Sequence, residues 1–216
     1  MVDLAFEVEG VKVEEFSAAP TLRFGLRVMN KSANVAIKNI LLSCQIRIDA
    51  ARRGYMANER ERLVELFGTA ETWGGALRSL LWTHANVAIP SFDREARVDL
   101  PAACTQDFNV ASAKYFNGIV SGVAPLVFLF SGSVFYCEDD GLLKIEQISW
   151  TNETTFELPA IVWRSLMDAH YPNSNWLLID RDTFDRLYKF KRVAGHLTFE
   201  GALNELLDVK EKELAS

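Results

Sequence analysis

Side chains that bind metals or carry out covalent chemistry are few in this sequence and widely spaced. The residues able to ligate a transition metal are His84, His170, His196, Cys44, Cys104 and Cys137. Protein metal sites usually contain at least one pair of ligands close together along the chain. No two of these residues form such a pair, so we predict neither a metal site nor a bound cofactor.

Acidic and nucleophilic residues also give no catalytic pattern. Residues 138–140 are the triplet Glu-Asp-Asp followed by glycine, which is typical of a tight turn, and no second acidic loop is present to complete a calcium site. The serines of the segment FSGS (130–133) lack the glycine spacing of a nucleophile elbow, and the glycine pair at 74–75 is too short to cradle a phosphate. We therefore predict no catalytic residue.

Tryptophan is the remaining unusual feature. The five tryptophans are Trp73, Trp82, Trp150, Trp163 and Trp176. Side chains of this size pack first in cores and second at interfaces. We expect core packing for most of them and keep a shared binding surface as the alternative, with Trp73, Trp82 and His84 as the candidate binding residues.

Composition limits the classes of partner. The chain has 216 residues, 49% of them hydrophobic and 24% charged, which suits one large domain or a main domain with an appendage. Its formal net charge of -6 disfavours nucleic acid and anionic lipid surfaces, because lysine and arginine drive binding to both. We expect neither nucleic acid nor a membrane among its partners.

The first ten residues mix acidic and apolar side chains without a basic start, which is not the pattern of a signal peptide. No apolar run approaches the length of a membrane span. We therefore expect a cytoplasmic protein with three reduced thiols and no disulfide.

Alternation of apolar and polar residues predicts a series of short strands. The predicted strands include residues 6–13, which form an edge, then 22–28, 35–48, 80–89, 98–100, 108–110 and 143–150. Changes of parity near Lys38-Asn39 and Glu146-Gln147 predict bulges. The longest strand, 124–136, is apolar on both faces at Val127 and Leu129, so we expect it to be covered on both sides.

Helical patterns occur at one insertion and near the end of the chain. Asn58, Glu61 and Gly68 are typical of the two ends of a short helix near 58–67, in which Glu61 reaches back to the first turn. After Thr155 the period changes from two to 3.6, and three C-terminal helices are predicted. Their predicted starts are Pro159, Asp180 or Asp182, and Thr198.

These elements predict a mainly β protein with added helices, an antiparallel sandwich of the immunoglobulin or fibronectin type III kind. The predicted β-sandwich domain covers 1–157 and includes the inserted helix near 58–67. Residues 158–216 are predicted to form a helical extension whose three helices each bury an apolar stripe on one sheet.

Four segments carry a resemblance: LRFGLRVMN (22–30), LRSLLWTH (77–84), PLVFLFSGSVFY (125–136) and LPAIVW (158–163). Through them nearly the whole chain resembles a family of uncharacterised bacterial proteins, a domain of unknown function. The front half is also similar to the water-stress type of late-embryogenesis β-sandwich, through its strands at 22–28 and 40–48. Members of the first family are encoded near nickel-iron hydrogenases and their maturation proteins, so the resemblance implies an accessory role without catalytic residues.

We therefore predict a non-catalytic accessory protein that binds another protein, with hydrogenase maturation or assembly as the context that the resemblance implies. Two alternatives stay open: a protein that binds a small apolar ligand between sheet and helices, and an enzyme whose site the sequence does not reveal. The sequence also leaves the partner's identity and the oligomeric state open.

Overall fold

The computed structural model describes residues 2–33, 35–104, 110–138, 141–174, 177 and 179–215. Its strands are β1 Leu4–Val13, β2 Thr21–Asn30, β3 Ala36–Asp49, β4 Ser79–Ile89, β5 Glu95–Ala103, β6 Val123–Cys137, β7 Leu143–Gln147 and β8 Glu153–Pro159. Its helices are α1 Ala57–Arg62, α2 Val64–Phe67, α3 Trp73–Ala76, α4 Val110–Gly118, α5 Ala160–His170, α6 Arg181–Val193 and α7 Phe199–Leu214. The strands pair in antiparallel fashion, so the protein is a mixed α and β structure built on antiparallel sheets.

The strands form two sheets whose inner faces pack against each other. One sheet has the order β1-β2-β5, and the other has the order β4-β3-β6-β7, with β8 paired to a different part of β6. Phe6 stacks on Phe130 with ring centroids 4.4 Å apart, and Phe24 meets Phe128 edge to face at 5.0 Å. Both contacts join the two sheets, so the main core lies between them.

The strand predicted to organise the fold lies inside the larger sheet as β6. Residues 123–129 pair with β8 and residues 133–137 pair with β7, while β3 runs along the opposite side of β6. Gly132 lies where the partner changes, with a φ of 136°, and a Cβ atom there would lie 2.0 Å from the carbonyl oxygen of Leu41. Only glycine accommodates both the backbone conformation and this approach, so a side chain at 132 would push β6 away from β3.

The two predicted bulges have different outcomes. The one near Lys38-Asn39 is confirmed, because the pairing of β3 with β6 shifts register between Ile37 and Asn39. The one near Glu146-Gln147 is wrong, because β7 ends at Gln147 and the chain leaves the sheet before β8 begins. A bulge and a strand end both reverse the parity of the apolar residues, so the pattern alone does not separate them.

The insertion between β3 and β4 contains more helix than the sequence predicted. Helix α1 begins at Ala57, next to the predicted start, so Asn58 lies inside the helix and does not cap it. Glu59, and not Glu61, accepts a hydrogen bond from the Met56 amide, at 3.1 Å. Helix α2 ends at Gly68, as predicted, where φ is 76°.

A second helical insertion, α4, lies between β5 and β6 and was not predicted. Of the expected strand at 108–110, residues 108 and 109 lie outside the described residues, and Val110 begins α4. The expected strand at 98–100 lies within β5. The prediction of a single inserted helix is therefore wrong. The short α4 has only a weak apolar stripe of its own, which is why periodicity missed it.

The C-terminal helices belong to two compact units, Met1–Asn173 and Ser174–Ser216. Helix α5 is part of the first unit, where Trp163 stacks on Phe116 of α4 with centroids 5.0 Å apart and Leu166 is fully buried. The first unit thus extends beyond the boundary at 157 that the change of period predicted.

Helices α6 and α7 form the second unit, and both begin where the sequence predicted. The Asp180 carboxylate accepts a hydrogen bond from the Thr183 amide at 2.9 Å, and the Thr198 hydroxyl accepts one from the Gly201 amide at 3.1 Å. The packing of all three C-terminal helices on one sheet stays a prediction. None of the helices in the described ranges has the length and apolar character needed to cross a bilayer.

We predict that a chain ending at Glu157 loses cooperative unfolding, because it lacks the buried Trp163 and Leu166 of α5. Thermal unfolding followed by near-ultraviolet circular dichroism measures this. A chain ending at Asn173 retains α5 and serves as the matched control, for which we expect a sharp transition. A sharp transition in the shorter chain as well would contradict a role for α5 in the core.

Candidate functional site

The outer face of the five-stranded sheet carries an open groove of about 860 Å³. The residues that line this groove are Ser43, Cys44, Gln45, His84, Asn86, Leu129, Phe130, Ser131, Trp150, Thr151 and Glu153. They come from β3, β4, β6, β8 and the loop between β7 and β8. A concave site with a few convergent polar groups is the usual form of a ligand site.

Strand register arranges the polar residues of the groove in two rows. In the first row, Gln45 lies opposite His84 on one side, and its Nε2 is 3.3 Å from the His84 Nε2. On its other side Gln45 lies opposite Leu129, which in turn lies opposite Glu153. This row therefore crosses four neighbouring strands.

The second row is shorter and consists of hydroxyl and amide groups. Ser43 lies opposite Asn86 and Ser131, and its Oγ donates a hydrogen bond to Asn86 Oδ1 at 2.7 Å. The Ser131 hydroxyl donates to the Ser43 carbonyl oxygen at 3.4 Å. Both serines thus act as neutral hydrogen-bonding groups on the floor of the groove, and neither is paired with a general base.

Trp150 forms one wall of the groove and is 85% exposed. Its loop is tied to β6 on both sides, since the Ile148 amide donates to the Gly132 carbonyl at 2.9 Å and the Phe130 amide donates to the Asn152 carbonyl at 3.0 Å. The Asn152 amide also closes a turn by donating to the Ser149 carbonyl at 3.0 Å. The indole therefore projects into solvent from a turn whose backbone is hydrogen-bonded.

The three residues proposed from sequence lie at different places. Trp73 is buried in the inserted helices, where its Nε1 donates to the Gly68 carbonyl at 2.9 Å. Trp82 is buried between the sheets against Phe24 and Phe116. Only His84 lies in the groove, so these residues do not form one binding surface.

A register shift separates Trp82 from His84. Ile46 lies opposite Thr83, but the next residue, Arg47, lies opposite Leu81, so Trp82 is the extra residue of a bulge in β4. Residues two apart on a regular strand share a face, but across a bulge the extra residue places them on opposite faces. As a result Trp82 points into the core while His84 is exposed on the outer face.

Trp150 is the functional candidate that the sequence analysis missed, since it was named there only as one of the five tryptophans and not as a binding residue. A signal for it was present, because the sequence ISWTN between two strands surrounds it with turn-forming residues. Of the other tryptophans, Trp163 is buried in α5 and Trp176 lies outside the described residues.

The titratable residues of the groove do not form a metal site. Over the described part of the chain, no group of three histidine, cysteine or acidic side chains is arranged to hold a metal ion. His170 contacts the Leu166 carbonyl oxygen, and His196 pairs with Glu205 in the second unit. In the predicted acidic turn, Glu138 pairs with Lys144, whereas Asp139 and Asp140 lie outside the described residues.

Among the residues that the structure describes, Arg53 and Glu59 form a buried, closed cluster away from the groove. The Glu59 carboxylate accepts two hydrogen bonds from Arg53, at 2.8 and 3.1 Å, one from the Met56 amide at 3.1 Å and one from the Val120 amide at 2.7 Å. Burial raises the pKa of Glu59, but the hydrogen bonds outweigh it, and the pKa lies below its ordinary value. A carboxylate with four donors and 1% exposure has no access to a substrate proton, so this cluster is structural.

The tyrosines beside this cluster are equally enclosed. The Tyr55 hydroxyl donates to the Ala50 carbonyl oxygen at 2.8 Å and lies 3.1 Å from the Tyr115 hydroxyl. Burial is the largest cause that raises the pKa of both tyrosines. They are therefore neutral, hydrogen-bonded core groups.

We predict that Glu59→Gln lowers the free energy of unfolding by about 3 kcal/mol, because it leaves Arg53 buried without a charged partner. Chemical denaturation at pH 7 measures this. The exposed pair Glu65–Lys114 provides the control, and Glu65→Gln should change stability by less than about 0.5 kcal/mol.

The same pair predicts a pH dependence. The folded protein lowers the pKa of Glu59, so its contribution is complete above the ordinary value of 4.5 and is lost as the pH falls through the lowered pKa. The stability difference between the native chain and Glu59→Gln should shrink on acidification. A constant difference down to acid unfolding would contradict the ion pair.

The three cysteines are unpaired and differ in accessibility. Burial raises the pKa of Cys44 and of Cys104 to about 12, whereas Cys137 is only partly buried at the end of β6. Thiolates, not thiols, react with disulfide reagents.

We predict that the native protein reacts with Ellman's reagent at one thiol, Cys137, and with all three thiols after unfolding. Absorbance at pH 8 follows the reaction. Cys137→Ser should remove the native reaction, whereas Cys104→Ser should leave its amplitude unchanged. Rapid reaction of more than one thiol in the folded chain would show that at least one of the two buried cysteines is accessible.

Two solved structures show small likenesses to the chain. The β-glucosidase of Kluyveromyces marxianus matches with 10% identity and a TM-score of 0.28, over 72% of this chain and 15% of the enzyme. The β-glucosidase 3B of Thermotoga neapolitana, solved with α-D-glucose, matches with 13% identity and a TM-score of 0.26, over 72% of this chain and 17% of that chain. The chain thus spans about one sixth of the length of either enzyme, and likenesses of this size say nothing about its activity.

No curated protein matches the chain. A family match does extend over residues 1–215, almost the full length, which agrees with the resemblance carried by the four core segments. The protein belongs to the family of unknown function DUF6084.

Proposed function

We propose that the protein is a non-catalytic accessory protein that binds another protein through the outer face of its five-stranded sheet. The observation that carries this proposal is an apolar patch beside an open strand edge. We define the patch as Leu41, Phe135, Leu143 and Ile145. Leu143 and Ile145 are each 61% exposed and Leu41 is 53% exposed.

Register places the members of the patch side by side. Phe135 of β6 lies directly opposite Ile145 of β7, and Leu143 follows two residues away on the same face. Leu41 of β3 lies one row away, opposite Ser133. Contiguous exposed apolar side chains of this kind are typical of surfaces that bind another protein.

The outer face of the three-stranded sheet offers a contrast within the same chain. Its charged side chains pair across the strands: Arg27 with Glu95 at 2.6 Å, Arg97 with Glu9 at 3.0 Å and Lys12 with Asp99 at 2.8 Å. Such a face is well solvated and has few apolar groups to bury. The contrast favours the five-stranded sheet as the binding face.

Strand β7 adds a second means of binding. It lies at the edge of its sheet and pairs with β6, so its far side presents backbone groups to a partner strand. The first strand, β1, is also an edge, as the sequence predicted, but it contacts β8 of the other sheet and α5. We therefore favour β7 over β1 as the docking edge.

We further propose that the two sheets have the fibronectin type III form of the immunoglobulin-like sandwich. The orders β1-β2-β5 and β4-β3-β6-β7 correspond to strands A-B-E and C′-C-F-G of that form, with the fourth strand beside the third. In this arrangement β7 and β4 are the end strands of the larger sheet, and β4 contacts β5 of the other sheet.

The cellular context of the proposal is the cytoplasm. Nickel-iron hydrogenase maturation proteins are the first candidate partners, and only the family resemblance supports them. The rival possibility of an apolar ligand between sheet and helices gains no support, since aromatic contacts such as Trp82–Phe116 and Phe116–Trp163, each with ring centroids 5.0 Å apart, occupy that space.

A photoreactive amino acid, p-benzoylphenylalanine, at position 143 in the native host tests the proposal. We expect one dominant protein adduct. Ile145→Lys in the same chain should weaken this partner's affinity by about 30-fold, the factor for a truncated interface anchor of ~2 kcal/mol.

The matched control places the same photoreactive residue at position 9, on the charge-paired face. We expect no dominant adduct there. Equal adducts from both positions, or none from position 143, would contradict the proposed binding face. Thermal unfolding of Ile145→Lys should be unchanged, because the native side chain is exposed.

A further inference from the structure

We propose that the groove on the outer face of the five-stranded sheet binds a neutral saccharide, with Trp150 as the stacking platform and the two polar rows as the hydrogen-bonding floor. This site lies beside the apolar patch but shares no residue with it, so the inference goes beyond the proposed protein-binding function. It depends on the register, exposure and charge of the groove residues.

Trp150 has the exposure and support that a sugar platform needs. Its indole is 85% exposed, and the turn that carries it is anchored to β6 by the backbone hydrogen bonds at Ile148 and Phe130. The C–H groups of a pyranose face are weakly positive, whereas the face of an aromatic ring is negative, so the two stack. The backbone of the turn is already hydrogen-bonded, so binding has to order little besides the indole itself.

The floor supplies donors and acceptors at a suitable spacing. The first row, from His84 through Gln45 and Leu129 to Glu153, crosses four strands. At the usual strand separation these four strands span about 14 Å, which accommodates a short oligosaccharide. Amide, hydroxyl and carboxylate groups such as those of Gln45, Ser43 and Glu153 each offer acceptors, donors or both to sugar hydroxyls.

The charge of the groove excludes anionic ligands. Its lining contains no lysine or arginine, and it includes the carboxylate of Glu153. The next cation along β3, Arg47, lies one row beyond the lining. Phosphates, sulfated sugars and nucleic acids need cationic partners, so a neutral ligand fits this site better.

The position of the groove also argues against an extended peptide. Its floor is formed by β3 and β6, which are inner strands of the sheet and have neighbours on both sides. A peptide laid over β3 and β6 meets no strand edge, because the edge strands β4 and β8 lie at the two ends of the row, and strand addition is the main source of affinity for extended peptides. A polyhydroxylated ligand needs only side-chain groups, which this floor provides.

The test uses the full chain and a panel of neutral hexasaccharides: cellohexaose, maltohexaose, mannohexaose and chitohexaose. Isothermal titration and tryptophan fluorescence measure binding. We expect at least one of the four to bind with a Kd below about 1 mM, the weak end of the affinity scale. Binding should shift the fluorescence emission of the native chain.

Substitutions then locate the site. Trp150→Ala should weaken binding by about tenfold or more, the scale reported for loss of one stacked ring. Gln45→Ala should weaken it by about two- to tenfold, as expected for one hydrogen bond. Trp150→Phe retains a ring and should fall between the native chain and Trp150→Ala.

Phe16→Ala is the matched control, because Phe16 is 96% exposed and lies between β1 and β2, outside the groove. It should leave saccharide affinity unchanged, as should the patch variant Ile145→Lys. Absence of binding by all four hexasaccharides, or equal losses in Phe16→Ala and Trp150→Ala, would overturn the proposal. Tighter binding of a sulfated oligosaccharide than of any neutral one would also overturn it.

The saccharide-binding experiments and the crosslinking experiments can succeed or fail independently of each other. Loss of saccharide binding in Trp150→Ala with an unchanged adduct at position 143 supports a separate saccharide site. Loss of the adduct in Ile145→Lys with unchanged saccharide binding shows that the patch binds the protein partner without the groove. Loss of both activities in both variants would contradict two separate sites.

Discussion

The buried ion pair between Arg53 and Glu59 is the contact on which the geometry of the larger sheet depends. Glu59 accepts from the Val120 amide at 2.7 Å, and Arg53 also donates to the Ser121 carbonyl oxygen, so the pair holds the turn that leads into β6. From the other side, Arg164 of α5 donates to the Ile119 and Val120 carbonyl oxygens, each at 3.0 Å. A buried charge that loses its partner is costly, so the insertion after β3 and the turn before β6 have to be in place together, and α5 adds hydrogen bonds to the same turn.

These contacts fix the start of β6. The rest of the strand then determines the shape of the outer face of the larger sheet. At Gly132 the strand approaches β3 more closely than any side chain permits, and it exchanges β8 for β7 as its partner. The chain between those two partners has to cross the exchange point, and it does so as the turn that exposes Trp150. The groove is thus a geometric consequence of one long strand that pairs with two short ones.

The two outer faces of the protein then differ in what they can bind. Cross-strand ion pairs such as Arg27–Glu95 satisfy the three-stranded sheet in water, and little free energy is available there from burial. The five-stranded sheet has polar rows without lysine or arginine near Trp150, and apolar side chains at Leu143 and Ile145. Burial of these groups by a partner or ligand releases water from apolar surface, which is the dominant favourable contribution to most association.

Much of the fold followed from the sequence alone because it depends on neighbours within a few residues. Period-two alternation identified the buried faces of β2, β3 and β6, and local hydrogen bonds made the caps at Asp180 and Thr198 recognisable. The groove and the Arg53–Glu59 cluster did not follow, since their residues are ordinary polar ones that lie far apart along the chain. Only strand pairing decided that Trp82 points inward and His84 outward, because a bulge is defined by the partner strand. Register is a long-range property, and no local pattern in one strand contains it.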